Sequence, residues 1–278
     1  AWDPSLQVVE AAATCPTDQT YCAATTNLGY EGETDTIAYT NGARYVTRDL
    51  AIPTSGLTGC TLALESSLRG ARASAAADGV DITVEFLRSG NVRLDHPGRP
   101  IVQAALRLAQ EVPVVENIWR RSPVQALARL HVVAAADDEV LRAAPDAAAV
   151  GRPRDAQSAQ LLQALAQWIA TDSTTPAIVM AAIAHGQIAA EQPFGTRDAL
   201  VARAVERLVV RTRGLDPRGI CITETGHALI GRTAYQQALA EFRTGTVQAT
   251  VDWVVHCAES ISAGAREIVA VADALIAD

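Results

Sequence analysis

From Thr61 onward, apolar residues recur at helical spacing in one segment after another. Stretches such as IVQAALRLAQEV, LLQALAQWIA and LVARAVERLVV place an apolar residue at every third or fourth position. This period predicts amphipathic helices that each bury one face against a neighbour. We therefore predict a mainly α fold for residues 61–278, a helical bundle, with a linker at residues 142–157 between two halves that pack together.

Residues 1–60 have a different composition. They hold four of the five tyrosines and several turn signals. The segments TIAY and RYVT flank Asn41-Gly42, a pair that favours a two-residue hairpin turn. We predict a small non-helical or β-containing N-terminal segment, and its role is left open.

Charge and hydropathy exclude two classes of partner. The chain of 278 residues has a net charge of −8, and all 23 of its basic residues are arginine. Nucleic-acid binding is not expected, because it needs clustered positive charge. No run of eighteen apolar residues occurs, so no membrane association is expected and the predicted location is cytoplasmic. The remaining partners are another protein or a second copy of the chain.

The five cysteines show no CxxC pair and no repeated spacing with the five histidines. A zinc site, or any other metal site, is therefore not predicted. Cys15 and Cys22 could close a small disulfide loop in an oxidising compartment, but an odd total favours free thiols. Their redox state is left open.

The segment EQPFGTRDALVAR, residues 191–203, places a Pro-Phe-Gly loop between two predicted helices. The first helix begins near Pro176 and the second near Asp198, and we predict that they form an antiparallel pair around a buried Phe194. A loop that ends at a helix N-terminus can bind an anion, because unpaired N–H groups and the positive end of the helix dipole converge there.

Residues 181–215 resemble the core of the Fic/Fido proteins, whose motif HPFx[DE]GNGRxxR joins two helices. The resemblance implies a Fic-like helical domain and a family that transfers AMP, or another nucleotide-derived group, to a protein hydroxyl. Placed on the motif without gaps, Gln192 takes the position of the histidine and Thr196 that of the metal-binding acid. The Gly-Asn-Gly-Arg positions hold Arg197, Asp198, Ala199 and Leu200, and the identical residues are Pro193, Phe194 and Arg203. The ligand loop implied by this placement comprises Pro193, Phe194, Gly195, Thr196, Arg197 and Asp198, with Arg203.

A second segment, SAAADG at residues 74–79, is similar to the family's inhibitory motif [ST]xxxE[GN]. The resemblance implies an inhibitory segment of Ser74, Asp78 and Gly79, in which Asp78 pairs with Arg203. The plainer interpretation is a helix that ends at Gly79, since glycine is a common terminator. Arg203 has an alternative too, as a helix arginine paired with Glu206.

The motif changes remove the usual chemistry. In the family the histidine accepts the proton of the target hydroxyl, and Gln192 cannot titrate. Thr196 is a much weaker Mg²⁺ ligand than a carboxylate, so Mg²⁺ is not expected. Asp198 competes for the N–H donors that a phosphate would use. The histidines have structural explanations: His131 and His256 lie on apolar helices, His227 lies in a loop-like stretch, and His185 is the alternative base.

These residues support three hypotheses. The first is a degenerate Fic-like protein, catalytically inactive, that serves as a regulatory or ligand- or protein-binding module, with a nucleotide or another anion as the ligand left open. The second is a transferase that uses a non-standard base, with His185 as the candidate. The third is a helical interaction protein whose loop pocket is filled by side chains.

Overall fold

The computed structural model describes residues 59–88, 97–136 and 150–277, together with two short strands nearer the N-terminus. The strands β1 (Asp35–Ala38) and β2 (Arg44–Thr47) pair antiparallel, with Asp35 opposite Thr47. The predicted turn at Asn41-Gly42, Cys15 and Cys22 lie outside the described residues, as does the first half of the predicted linker, residues 142–149.

The described chain after residue 58 is helical, as the apolar period predicts. Its helices, in chain order, are α1 (Gly59–Ala77), α2 (Val84–Arg88), α3 (Arg99–Trp119), α4 (Pro123–Ala134), α5 (Ala156–Thr171), α6 (Ala177–Glu191), α7 (Asp198–Thr212), α8 (Thr225–Leu229), α9 (Gly231–Phe242) and α10 (Val247–Ala277). Of the helices in the described ranges, none combines the length and hydropathy needed to span a bilayer.

Helix α7 is the centre of the bundle, because 13 of its 15 residues are buried. It packs against α6, from which it is separated by a loop of six residues, and also against α3, α4 and α1. The predicted helix pair is confirmed, and Phe194 between the two helices is only 7% exposed. Trp119 and Trp253 anchor the same core from α3 and α10.

A second, smaller apolar cluster fixes the long C-terminal helix. Leu62 and Ala63 of α1 meet Ile268 and Ala272 of α10 there. The segment before α8 contributes Ile222, which approaches α10 so closely that a Cβ on Gly264 would lie 1.8 Å from the Ile222 carbonyl oxygen. Glycine at this position is therefore required by packing.

Gly264→Ala should destabilise the protein, although alanine favours a helix by about 1 kcal/mol. The added methyl group meets backbone, which cannot rotate away, so the cost should be about 1–3 kcal/mol in urea unfolding. Ala270→Gly, at an exposed position of the same helix, reports the propensity term alone and should cost about 1 kcal/mol. A stabilised Gly264→Ala protein would show that the close approach does not exist.

Candidate functional site

The candidate loop, residues 192–197, is built on two left-handed residues that are not glycine. Gln192 ends α6 with φ 48° and ψ 58°, and its side chain is exposed. Arg197 precedes α7 with φ 57° and ψ 7°. The left-handed conformation costs an ordinary residue about 1–2 kcal/mol, and glycine adopts it freely. The backbone at residue 197 thus keeps a conformation suited to the glycine that the Fic motif has there.

His131 supports the loop from α4, a role that the sequence did not predict. Its ring stacks on Phe194, with centroids 4.3 Å apart and the planes 6° from parallel. The Gly151 N–H donates to Nδ1 at 2.9 Å, so Nε2 carries the proton and faces the Thr196 carbonyl oxygen at 3.1 Å. His131 is buried and both of its ring nitrogens are engaged, which makes it a positioning residue for the loop.

The segment just before α5 covers the other side of the loop. The Arg154 N–H donates to the Pro193 carbonyl oxygen at 2.9 Å, and the Arg154 guanidinium donates to the Glu191 carbonyl oxygen at 3.1 Å. The second half of the predicted linker, residues 150–157, therefore contacts the loop through Arg154.

The Asp198 carboxyl group accepts from a backbone N–H donor of the loop, as its position at the start of α7 predicts. The Phe194 N–H donates to Asp198 Oδ1 at 2.9 Å. The carboxyl group is buried, and its Oδ2 has no hydrogen-bond partner among the described residues. Burial raises the pKa of Asp198 to about 7, against the opposing effect of the N–H groups of Phe194 and Gly195. A carboxyl group of the chain itself therefore lies where an anionic ligand would receive these N–H groups.

Asp198→Asn should become more stable relative to the wild type as the pH rises from 5 to 7. The folded-state pKa of Asp198 lies above its unfolded value, so the wild type loses stability as pH rises through this window, by up to about 1.4 kcal/mol per pH unit. Asparagine keeps the acceptor oxygen and does not titrate. Urea unfolding of both proteins at pH 5 and pH 7 measures the difference.

Asp155→Asn is the matched control for this experiment. Asp155 caps α5 by accepting from the Ser158 N–H at 2.7 Å, and these hydrogen bonds lower its pKa. Its stability difference from the wild type should therefore be the same at pH 5 and pH 7. A pH-independent difference for Asp198→Asn as well would mean that the folded Asp198 carboxyl is ionised throughout.

Arg203 lies behind the loop and is completely buried. Its Nε donates to Ser74 Oγ at 2.8 Å, and its Nη2 donates to Asp78 Oδ2 at 2.9 Å. Its Nη1 faces the Tyr235 hydroxyl oxygen at 3.3 Å. Burial alone would lower the pKa of Arg203, but Asp78 and Tyr235 outweigh it and hold the pKa above its usual value. The contact between Asp78 and Arg203 predicted from the sequence is confirmed.

Gly79 is also a helix terminator, so the two interpretations of residues 74–79 are compatible. Its φ is 86°, and the Gly79 and Val80 N–H groups bond back to the carbonyl oxygens of Ala76 and Ala75. This turn ends α1 and holds Asp78 at the helix end, within reach of Arg203.

Asp78→Ala should cost about 3 kcal/mol of unfolding free energy, because it leaves the Arg203 cation buried without its counter-ion. Asp81→Ala is the matched control, since Asp81 pairs with Arg72 at 2.6 Å but its side chain is 77% exposed. That variant should cost less than about 1 kcal/mol. Equal costs in urea unfolding would show that the burial of Arg203 does not increase the stability contributed by its pair with Asp78.

Arg203 does not pair with Glu206, so that alternative is wrong. Glu206 Oε2 instead faces His185 Nδ1 at 2.6 Å and His227 Nε2 at 2.8 Å. Glu206 lies one helical turn beyond Arg203, where α6 and α8 supply the two imidazoles. His227 is on the short helix α8, and the loop-like pattern of its surroundings gave no sign of this contact.

His185, the alternative base, is fully buried and its ring is committed on both sides. Nδ1 faces Glu206, and Nε2 lies 2.6 Å from the Tyr235 hydroxyl oxygen. Burial lowers the pKa of His185 to about 4, which outweighs the raising effect of Glu206. The imidazole is therefore neutral at pH 7 and enclosed by other side chains.

Mg²⁺, which the Fic motif would bring to this loop, does not fit the residues present. Thr196 stands at the position of the acidic ligand, and its Oγ1 lies 3.3 Å from His131 Nε2. The nearby carboxyl group, Asp198, is turned onto the Phe194 N–H. The loop thus offers Mg²⁺ no ionised carboxylate directed outward.

A comparison with solved structures identifies the fold. The chain is similar to the crystal structure of a Fic family protein from Desulfovibrio desulfuricans G20, with a TM-score of 0.58 and 20% sequence identity over 75% of this chain. No protein-family model matches the chain, and no curated protein matches it. The described part of the chain is therefore a mainly α-helical, Fic-like bundle.

The structural match covers 66% of the Desulfovibrio protein, which is slightly less than two thirds of its length. At 20% identity it shows a shared fold. The chemistry of the motif therefore has to be derived from the residues of this chain.

Proposed function

We propose that this chain is a degenerate Fic-like protein that does not carry out AMP transfer and acts as a regulatory or binding module. One observation carries the proposal: carboxyl groups of the chain itself occupy the N–H donor and the guanidinium group that an anionic ligand would bind. Asp198 accepts the Phe194 N–H of the loop, and Asp78 pairs with Arg203, the last residue of the motif.

The residues available for proton transfer support the same proposal. The exposed Gln192 at the histidine position has no titratable group. His185 is enclosed by Glu206, Tyr235 and Trp253, which does not favour the hypothesis of a transferase with a non-standard base. His131 is stacked on Phe194 and bonded at both nitrogens.

Any anionic ligand of this site must compete with internal carboxyl groups. An anion at the loop has to displace Asp198 from the Phe194 N–H, and an anion at Arg203 has to displace Asp78. The proposal therefore favours a partner that binds the surface around the loop, such as another protein, over a tightly held nucleotide. A cytoplasmic location remains our expectation for such a module.

Incubation of the wild type with labelled ATP and Mg²⁺ should label neither the chain itself nor added protein targets. Gln192→His alone should not produce labelling, because Thr196 and Asp198 still leave the phosphates without a metal ligand and without free N–H donors. Autoradiography after gel electrophoresis measures both results.

The informative control is a restored protein that carries Gln192→His, Thr196→Asp, Arg197→Gly, Asp198→Asn, Ala199→Gly, Leu200→Arg and Asp78→Ala together. Circular dichroism must first show that it is helical. Labelling by this variant alone would support the proposal. Transfer by the wild type that disappears in His185→Ala would contradict it and establish the transferase hypothesis.

A further inference from the structure

Four buried side chains with metal-binding atoms meet behind the loop. They are His185, Glu206, His227 and Cys257, and each is 0% exposed. One ligand atom from each lies within 4.8 Å of the others. Among the described residues this is the one such group of three or more.

Each member of this His–Glu–Cys cluster comes from a different helix. His185 is on α6, Glu206 on α7, His227 on α8 and Cys257 on α10. The cluster therefore gathers four helices around one point. Its ligand spacing along the chain is long and irregular, which explains why the sequence gave no metal prediction.

Glu206 carries the second observation, an unsatisfied atom. Its Oε2 accepts from both imidazoles, but its Oε1 is buried and has no hydrogen-bond partner among the described residues. Leaving a buried carboxylate oxygen without any partner is costly. Arg203, one turn earlier on α7, pairs with Asp78 and not with Glu206.

The outer nitrogens of the two histidines already have partners. His185 Nε2 lies 2.6 Å from the Tyr235 hydroxyl oxygen, and His227 Nδ1 lies 2.8 Å from His256 Nε2. Histidines that bind a metal almost always donate their other N–H to a neighbouring group, which fixes the ring. Both rings are thus held with their inner nitrogens, His185 Nδ1 and His227 Nε2, towards Glu206.

We propose that His185 Nδ1, His227 Nε2, the Glu206 carboxylate and the Cys257 thiolate bind one divalent, zinc-type metal ion. Two imidazoles, a carboxylate and a thiolate suit Zn²⁺ in tetrahedral geometry. Binding moves the inner protons of the histidines to their outer nitrogens and releases the thiol proton to solvent. The two ligand charges then balance the 2+ charge of the ion.

The geometry requires a small rearrangement of the cluster, whose ligand atoms lie within 4.8 Å of one another. Tetrahedral ligands at zinc distances lie about 3.4 Å from one another. The contacts of Glu206 with His185 and His227, at 2.6 and 2.8 Å, must lengthen by several tenths of an ångström. With four protein ligands the site is closed, so the ion holds α6, α7, α8 and α10 together and catalyses nothing.

Titration of the EDTA-dialysed full chain with Co²⁺ tests the proposal directly. One Co²⁺ per chain should bind, with the strong visible absorption of a tetrahedral site and a near-ultraviolet thiolate charge-transfer band. Added Zn²⁺ should displace the Co²⁺, so that the visible absorption disappears, and should raise the thermal unfolding midpoint. His256→Ala should weaken Co²⁺ binding by about 10- to 100-fold, the usual effect of losing a group that holds a ligand.

The control variants separate this site from the other cysteines. Cys257→Ser should lose the charge-transfer band and the Zn²⁺-dependent rise of the midpoint. Cys221→Ser should keep both, because Cys221 is also a buried free thiol but donates to the Ile261 carbonyl oxygen at 3.3 Å, outside the cluster. A chain with both Cys15→Ser and Cys22→Ser should keep them too.

Two results would overturn the proposal. One is a wild type that binds no Co²⁺, which would leave a purely hydrogen-bonded cluster. The other is a band that survives Cys257→Ser but is lost with Cys15 and Cys22. If Cys257→Ser fails to fold, Glu206→Gln provides the same test, with at least a tenfold loss of Co²⁺ affinity expected. None of these outcomes bears on AMP transfer, so the two proposals stand or fall separately.

Discussion

The pairing of the buried charges on α7 is the interaction on which the rest of the bundle depends. Arg203, Arg207 and Arg211 follow one another at four-residue intervals, Glu206 directly precedes Arg207, and all four are less than 9% exposed. Their partners come from five other parts of the chain. Asp78 at the end of α1 pairs with Arg203, His185 and His227 with Glu206, Glu224 before α8 with Arg207, and Glu116 of α3 with Arg211. Because an unpaired buried charge is costly, these contacts fix where the neighbouring elements lie along α7.

Contacts within the chain also explain how the loop keeps its form without the glycines of the motif. Asp198 takes the N–H of Phe194, His131 stacks beneath the Phe194 ring, and Arg197 holds a left-handed backbone. Each contact is internal to the chain. The loop is therefore stabilised by the chain's own side chains, which agrees with the function we propose.

The sequence predicted those features that depend on local pattern. Apolar spacing placed the helices, and the resemblance of residues 74–79 to the Fic inhibitory motif implied the contact of Asp78 with Arg203. The sequence pattern of α7 predicts the wrong surroundings, however, because its arginines and Glu206 form a polar face that would ordinarily be exposed to water. That face is covered by α1, α3 and α8, and no local signal reveals such covering. His131 and His227 were missed for the same reason, since their partners lie 65 and 21 residues away.

The buried arginines of α7 give the network a particular response to the loss of its carboxylate charges. Guanidinium groups stay protonated under all conditions in which proteins fold, so Arg203, Arg207 and Arg211 keep their charge when their carboxylate partners take up protons. Loss of charge on these carboxylates would therefore leave three cations unpaired in the same helix. These pairs join α7 to the end of α1, to α3 and to the segment before α8, so that loss would weaken each of these attachments of the central helix. The bundle should come apart in a single cooperative step, and no outer helix should peel away first.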